Sequence, residues 1–372
     1  MKNMAFNVGD VIIGGQHTVV MAEAGVNHLR DLELAEKLIS SAANAGADIV
    51  KFQTYDAAKL TTKNAPRFWD WEGERDPTGS QYDSYSVLAT PEREFTEKLV
   101  GLCKKYSVEF MSTPFDLESA SMLAEIGCKA FKMASGDITN IPLLRHVAMQ
   151  KLPIFLSTGA SSIPEIRHAV DEIEKIADVP ICIMHCTLCY PTRARDANLS
   201  ALLHLRKEFP GYILGLSDHT IGPAIPAASP LYDCKVIEKH YTIDKTLPDS
   251  ADHWLSIDPA ELAMLVEMLR QVEKAVGSGV KSLLECEHRT RANARRSLVA
   301  HGLIKRGAKF TPENLTAKRP SGGISPIYID EIIGLTASRD IQDDEIIYPS
   351  DVVEDAEFKP IDIDVLEKNE RP

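Results

Sequence analysis

A short apolar strand, a polar turn and a helical stretch recur eight times between residues 19 and 276, which predicts an α/β chain: a TIM (β/α)8 barrel, followed by a small, mostly β domain. The strand segments are VVMAEAG, DIVKFQT, VEFMSTP, AFKMASG, PIFLSTG, ICIMHCT, YILGLSD and KVIEKHY. The stretches between them carry helical periodicity. In DLELAEKLISSAANAG, Leu32, Leu34, Ala35, Leu38 and Ile39 form one stripe and Gly46 follows as a stop. Each βα pair implies a parallel crossover, and eight units fit the roughly 250 residues usual for a barrel. An open doubly wound sheet competes, but no GxGxxG follows the first strand. From Asn293 the pattern changes to short β pieces with turn residues and Pro320, Gly322, Gly323 and Pro326. The expected division is a barrel over 1–280, a linker over 281–292, a small domain over 293–354 and an acidic tail over 355–372.

In a barrel the carboxyl ends of the strands converge on one mouth, where the chemistry sits. Strand one ends in Glu23, with Asn27 and His28 beyond, strand two in Lys51 and Gln53, and strand three in Ser112 and Thr113. Strand four gives Lys132, Ser135 and Asp137, strand five Ser157 and Thr158, and strand six His185 and Thr187. Strand seven gives Ser217, Asp218 and His219, and strand eight Glu238 and His240. Side chains alternate along a strand, so Glu238 and His240 share a face opposite Ile237 and Tyr241 and look into the mouth.

Lysines inside apolar strands need partners. Lys51 and Lys132 therefore point either to an imine-forming aldolase or to an anion site, with ion pairing to Glu23 or Asp137 as the plainer alternative. His219 and His240, at adjacent strand ends, suit a divalent metal with open positions, and His185 is either a third ligand or a substrate contact. After strand eight, Asp249, Asp252 and His253 lie on a loop over the mouth, and Asp258 and Pro259 open the last barrel helix. The stretch from Thr61 to Tyr85, with Trp69, Trp71, Tyr82 and Tyr85, reads as a long irregular lid or substrate wall.

Composition limits the partners. The 372 residues are 44% hydrophobic and 26% charged, and 41 Lys and Arg against 54 Asp and Glu give a net charge of −13. Broad attraction to nucleic acid or anionic lipid is not expected, and any anionic ligand must be held by local cations. No run reaches the roughly 18 apolar residues of a membrane span, and the start lacks a signal-peptide core, so a cytoplasmic protein is expected. Seven cysteines fit reduced thiols better than a disulfide framework. ICIMHCTLCY places Cys182, His185, Cys186 and Cys189 close in sequence, but no second spaced ligand pair follows to complete a structural zinc site.

These motifs resemble the sialic acid synthase family, whose members condense phosphoenolpyruvate with an N-acyl amino sugar. The resemblance covers nearly all of residues 8 to 354 and rests on AEAGVNH, VKFQT, MSTPFD, FKMASGDITN, LSTGAS, HCTLCYPT, GLSDHT, VIEKHYT and KRPSGG in this order and spacing. It implies that His219 and His240 hold Mn²⁺ or Mg²⁺. It implies that Lys51, Thr113, Lys132, Ser135, Ser157 and Ser217 surround the phosphate and carboxylate of phosphoenolpyruvate, and that Glu23 and Asp252 hold the sugar and water. Gln53, Asp137, His185, Tyr190 and Glu238 complete the expected substrate contacts. The small domain resembles the antifreeze-like (SAF) domain, which in the family covers the mouth of the other subunit of a domain-swapped homodimer, so that Arg319 reaches the partner's sugar. The acceptor implied first is N-acetylmannosamine, with the diacetamido sugars leading to legionaminic or pseudaminic acid as the alternative. A pyruvate-dependent imine aldolase and a non-catalytic sugar-binding protein are the rival readings. Leu188 stands where family members commonly carry Asn or Ser, and the 61–85 insertion has no match for the family's sugar-contacting Asn.

Overall fold

A computed structural model describes residues 5–69, 79–89, 92–247 and 252–353. The expectations for Trp71, Asp249 and the 355–372 tail lie outside the described residues. A hairpin of β1 (Phe6–Val8) and β2 (Val11–Ile13) precedes the barrel. The barrel strands are β3 (Val19–Gly25), β4 (Ile49–Thr54), β5 (Glu109–Pro114), β6 (Phe131–Met133), β7 (Ile154–Ser157), β8 (Ile181–Cys186), β9 (Ile213–Asp218) and β10 (Val236–His240). All neighbours are parallel and β10 pairs with β3, closing the eight strands into a barrel. All eight predicted segments form strands.

Alternation divides the core in two. Met21, Ile49, Met111, Phe155, Met184 and Val236 fill the barrel interior, and Val8 and Ile13 of the hairpin pack onto that plug. Val20, Val50, Phe52, Ile183, Leu214 and Ile237 point outward and meet helix residues such as Leu38, Leu99, Leu144 and Leu265. The first barrel helix, Leu32–Asn44, starts because Asp31 accepts hydrogen bonds from the N–H groups of Glu33 and Leu34. It stops at Gly46, whose φ of 93° only glycine adopts cheaply. At the last barrel helix, Pro259–Ala275, Asp258 and Glu261 form a capping box with Pro259 in the first turn. The expectation of an irregular segment over 61–85 needs correcting at its end. Gln81–Leu88 is helical, set by a box between Ser80 and Asp83 that the S-x-x-D spacing already encodes.

His28 is fully buried, its ring centroid 5.8 Å from that of Phe52 and 5.1 Å from that of Phe95. Burial lowers its pKa to about 4, and Nδ1 accepts the Arg30 N–H. The unfolded chain therefore binds more protons between about pH 4 and the ordinary histidine value, so stability rises with pH across that window. The expected span is about 3 kcal/mol. Denaturant melts of the parent at pH 4.5 and 7 should show it, and a His28→Leu variant should lose most of it.

The chain divides into two compact units between Ser278 and Gly279. The second pairs β11 (Ser297–Ala300) antiparallel with β12 (Leu315–Lys318). It has a core of its own around Leu298, Phe310, Ile332, Ile341 and Ile347. Among the described residues no helix is long and apolar enough to cross a membrane.

Candidate active site

At the carboxyl ends of the barrel strands lies a cavity of about 940 Å³. Its lining includes Glu23, Lys51, Gln53, Thr113, Lys132, Ser135, Asp137, Ser157, Tyr190, Ser217, His219, Glu238, His240 and Asp252. The strand residues among them come together because they share inward parity with the plug below: Glu23 follows Met21 by two residues, Lys51 follows Ile49, Lys132 follows Ala130 and Glu238 follows Val236.

The floor is an ionic network. Lys51 Nζ lies 2.8 Å from Glu23 Oε2, donates to Thr113 Oγ1 at 3.0 Å and sits 3.9 Å from Glu238 Oε2. Lys132 Nζ and Ser217 Oγ donate to Glu238 Oε1 at 3.1 and 3.0 Å, and Gln53 donates to Glu23 at 2.9 Å. Burial works against a charged Lys51, but Glu23 and Glu238 outweigh it and hold its pKa above the usual lysine value. Lys51 is thus an ammonium, not the neutral amine an imine-forming lysine needs. Burial likewise pushes Glu238 up, and the ammonium groups of Lys132 and Lys51 more than reverse it, leaving the carboxylate ionised. Two cations offset by two carboxylates fit a strongly anionic ligand that displaces part of that pairing.

Beside the lysines, Ser157 Oγ is buried without a hydrogen-bond partner among the described residues, an arrangement that a bound acceptor atom would satisfy. Ser135 Oγ accepts the Gly159 N–H at 3.0 Å. A Cβ at Gly159 would lie 2.8 Å from Ser135 Oγ and 3.1 Å from Cys186 Sγ, so a side chain there would displace the Ser135 hydroxyl from this contact. Asp137 accepts from Asn140 at 3.1 Å, and burial raises its pKa.

The His219 and His240 rings are 5.3 Å apart, and Tyr190 lies against both, 4.2 Å from His219 and 5.9 Å from His240. His219 Nδ1 is 2.9 Å from the Thr187 carbonyl, which can only accept, so in the neutral ring Nε2 keeps its lone pair. His240 Nδ1 lies 3.4 Å from Asp252 Oδ2. Among the described residues no group of three or more His, Cys, Asp or Glu side chains could cage a metal. The two imidazoles, with the lone pair of His219 Nε2 available in the neutral ring, are chemically able to hold a divalent cation whose remaining positions would take oxygen ligands.

His185 does not join them. Its Nε2 bonds the Ala197 carbonyl at 2.8 Å, because Ile183 sets its parity outward while Cys182 and Met184 set Cys186 inward. The same alternation separates His185 from Cys182 and Cys186 and removes the basis for a shared zinc site. Other strand-end candidates also face outward: Ser112 bonds Thr54 at 2.7 Å, Thr158 bonds the Met184 carbonyl at 2.9 Å, and Asp218 pairs with Lys239. Arg319 belongs to the second unit, where it is exposed. Cys186, read from the sequence only as a zinc candidate, lines the cavity, and two-residue spacing from Met184 was the signal for it; Arg67 and Trp254, which also line it, were not singled out in the sequence. Tyr55, Leu60, Phe68, Tyr85, Val87, Leu188 and Trp254 add apolar and aromatic surface to the lining, beside the polar Arg67, Gln81, Asp83 and Ser84.

The NeuB family model matches residues 38–281. The chain belongs to the NeuB family, the sialic acid synthases. Residues 295–353 match the SAF domain, so this NeuB protein carries the barrel and accessory domain expected of it. It is 39% identical to the N,N'-diacetyllegionaminic acid synthase of Campylobacter jejuni over 89% of this chain and 98% of that protein. It is 38% identical to the enzyme of the same name in Legionella pneumophila, over 87% and 91%. Among solved structures, the N-acetylneuraminic acid (sialic acid) synthetase of Leptospira borgpetersenii, crystallised with citrate, aligns with a TM-score of 0.68 at 34% identity, covering 77% of this chain and 95% of that one. As a NeuB protein the chain is a synthase-type enzyme.

Proposed function

We propose that this NeuB enzyme condenses phosphoenolpyruvate with an N-acyl amino sugar, giving a nine-carbon sialic acid-type product and inorganic phosphate. The observation that carries the reading is the floor of the cavity, where Lys51 and Lys132 share Glu238 beside the unpartnered Ser157 hydroxyl. That is a site for the phosphate and carboxylate of phosphoenolpyruvate, with Thr113, Ser135 and Ser217 completing it. His219 and His240 would hold a divalent cation, Mn²⁺ or Mg²⁺. When bound, the cation polarises the aldehyde of the open-chain sugar.

In the reaction, C3 of the enol attacks the sugar aldehyde and the new C–C bond forms as the aldehyde oxygen takes a proton. Glu23 and Asp252, facing the same space, orient the sugar and a water. Water adds at C2 with loss of a proton, and the tetrahedral carbon expels phosphate to leave the 2-keto acid. Lys51 and Lys132 stabilise the charge on the departing phosphate. Phosphoenolpyruvate labelled with ¹⁸O at its bridging oxygen tests this order: the label should leave with phosphate, and label kept in the keto acid would contradict it.

For the acceptor, the legionaminic acid synthase relatives and the apolar part of the lining favour a 2,4-diacetamido-trideoxyhexose, whose methyl groups would meet Val87, Phe68 and Leu188. The Leptospira structure supports N-acetylmannosamine as the second reading. A methyl in an apolar pocket is worth about tenfold or more in kcat/KM, so competition between the two sugars should show at least that preference. Arg319 is proposed to complete the partner's site in a swapped homodimer. A chain ended at residue 290 should be monomeric and lose nearly all turnover in assays of phosphate release, whereas undiminished activity would refute the swap.

A further inference from the structure

On the face of the sheet turned away from the cavity, directly behind the two histidines, lies an ion pair that the chemistry above does not use. Asp218 ends β9 and Lys239 is the residue before His240 in β10, and the two are register partners on adjacent parallel strands. Lys239 Nζ is 2.6 Å from Asp218 Oδ2, with the side chains 1% and 3% exposed. The pair also grips the turn that carries His219. The Thr220 hydroxyl donates to Asp218 at 2.8 Å, its N–H donates at 3.3 Å, and Lys239 donates to the Thr220 carbonyl. Residues on both sides of His219 are thereby tied to the residue immediately before His240.

A buried ion pair is a poor stabiliser, since desolvation consumes most of the Coulombic gain and apolar replacements of equal volume are often neutral or better. Its place here has a positional reason instead. We propose that Asp218 and Lys239 are positioning residues that, with Thr220, fix the separation and orientation of His219 and His240 so that both imidazoles present to one cation. The proposal rests on the two-histidine metal reading given above.

The test is Mn²⁺ binding to the full chain, followed by the electron paramagnetic resonance signal of free Mn²⁺, for the parent, for Asp218→Leu with Lys239→Met, and for Thr220→Val. The double variant removes both charges, and its melting curve shows whether the larger leucine is accommodated. Its Mn²⁺ Kd should rise about tenfold or more, as when supports behind metal ligands are removed, with excess Mn²⁺ restoring much of kcat. Thr220→Val removes one hydrogen bond and should raise the Kd about threefold. A double variant that folds and binds Mn²⁺ like the parent would overturn the proposal. Should the double variant not fold, Thr220→Val decides: a weaker Kd supports the clamp and an unchanged one refutes it. If the parent binds no Mn²⁺ stoichiometrically, or His240→Ala binds it equally well, the metal reading itself fails, and the clamp with it.

Discussion

His240→Ala is expected to lower kcat/KM by about a thousandfold or more, because among the described residues the cavity offers two imidazoles and losing one removes the polarisation of the aldehyde. His240 lies at the end of β10 with its backbone carbonyl accepting the Ile257 N–H, a bond the substitution leaves intact. The fold should persist, and a melting curve separates loss of chemistry from loss of structure. The variant should also lose the response to added Mn²⁺. Retained turnover with undiminished metal dependence would remove His240 from the site. His219→Ala should behave alike, with the added loss of the hydrogen bond to the Thr187 carbonyl.

Lys132→Met is the second large effect. It leaves Glu238 buried at 4% exposure without its 3.1 Å partner, next to the position proposed for an anionic substrate. Breaking one half of a buried pair costs about 3–5 kcal/mol, so both stability and phosphoenolpyruvate binding should fall, the latter by about a hundredfold or more. Pairing it with Glu238→Gln separates the two. The double variant should recover most of the stability, since no charge is left unmatched, and none of the turnover, since the phosphate still lacks its cation. Recovery of both would mean that Lys132 only balances Glu238.

The repeat of strand and helix made the barrel legible, because eight buried parallel strands need eight apolar segments and each crossover needs an amphipathic helix. The mouth was legible for the same reason: the polar ends of eight parallel apolar strands gather at one end of the barrel. What the motifs blurred was which of two neighbouring polar residues faces in. His185 and Cys186 are adjacent, and only counting by twos from Met184 shows that the thiol, not the imidazole, enters the cavity. Asp218 and Lys239 were obscured likewise, lying beside histidines that drew attention while their own side chains point the other way. The helix Gln81–Leu88 was hidden because none of its residues is buried, so it carries no apolar stripe to read.

The most direct measurement is phosphate release from phosphoenolpyruvate with Mn²⁺, run against a panel of amino sugars with and without a chelator. Release that requires a 2,4-diacetamido-trideoxyhexose or N-acetylmannosamine, and that stops on chelation, is the expected result. Sugar-independent release, or turnover with pyruvate that survives chelation and is trapped by borohydride on Lys51 or Lys132, would contradict it.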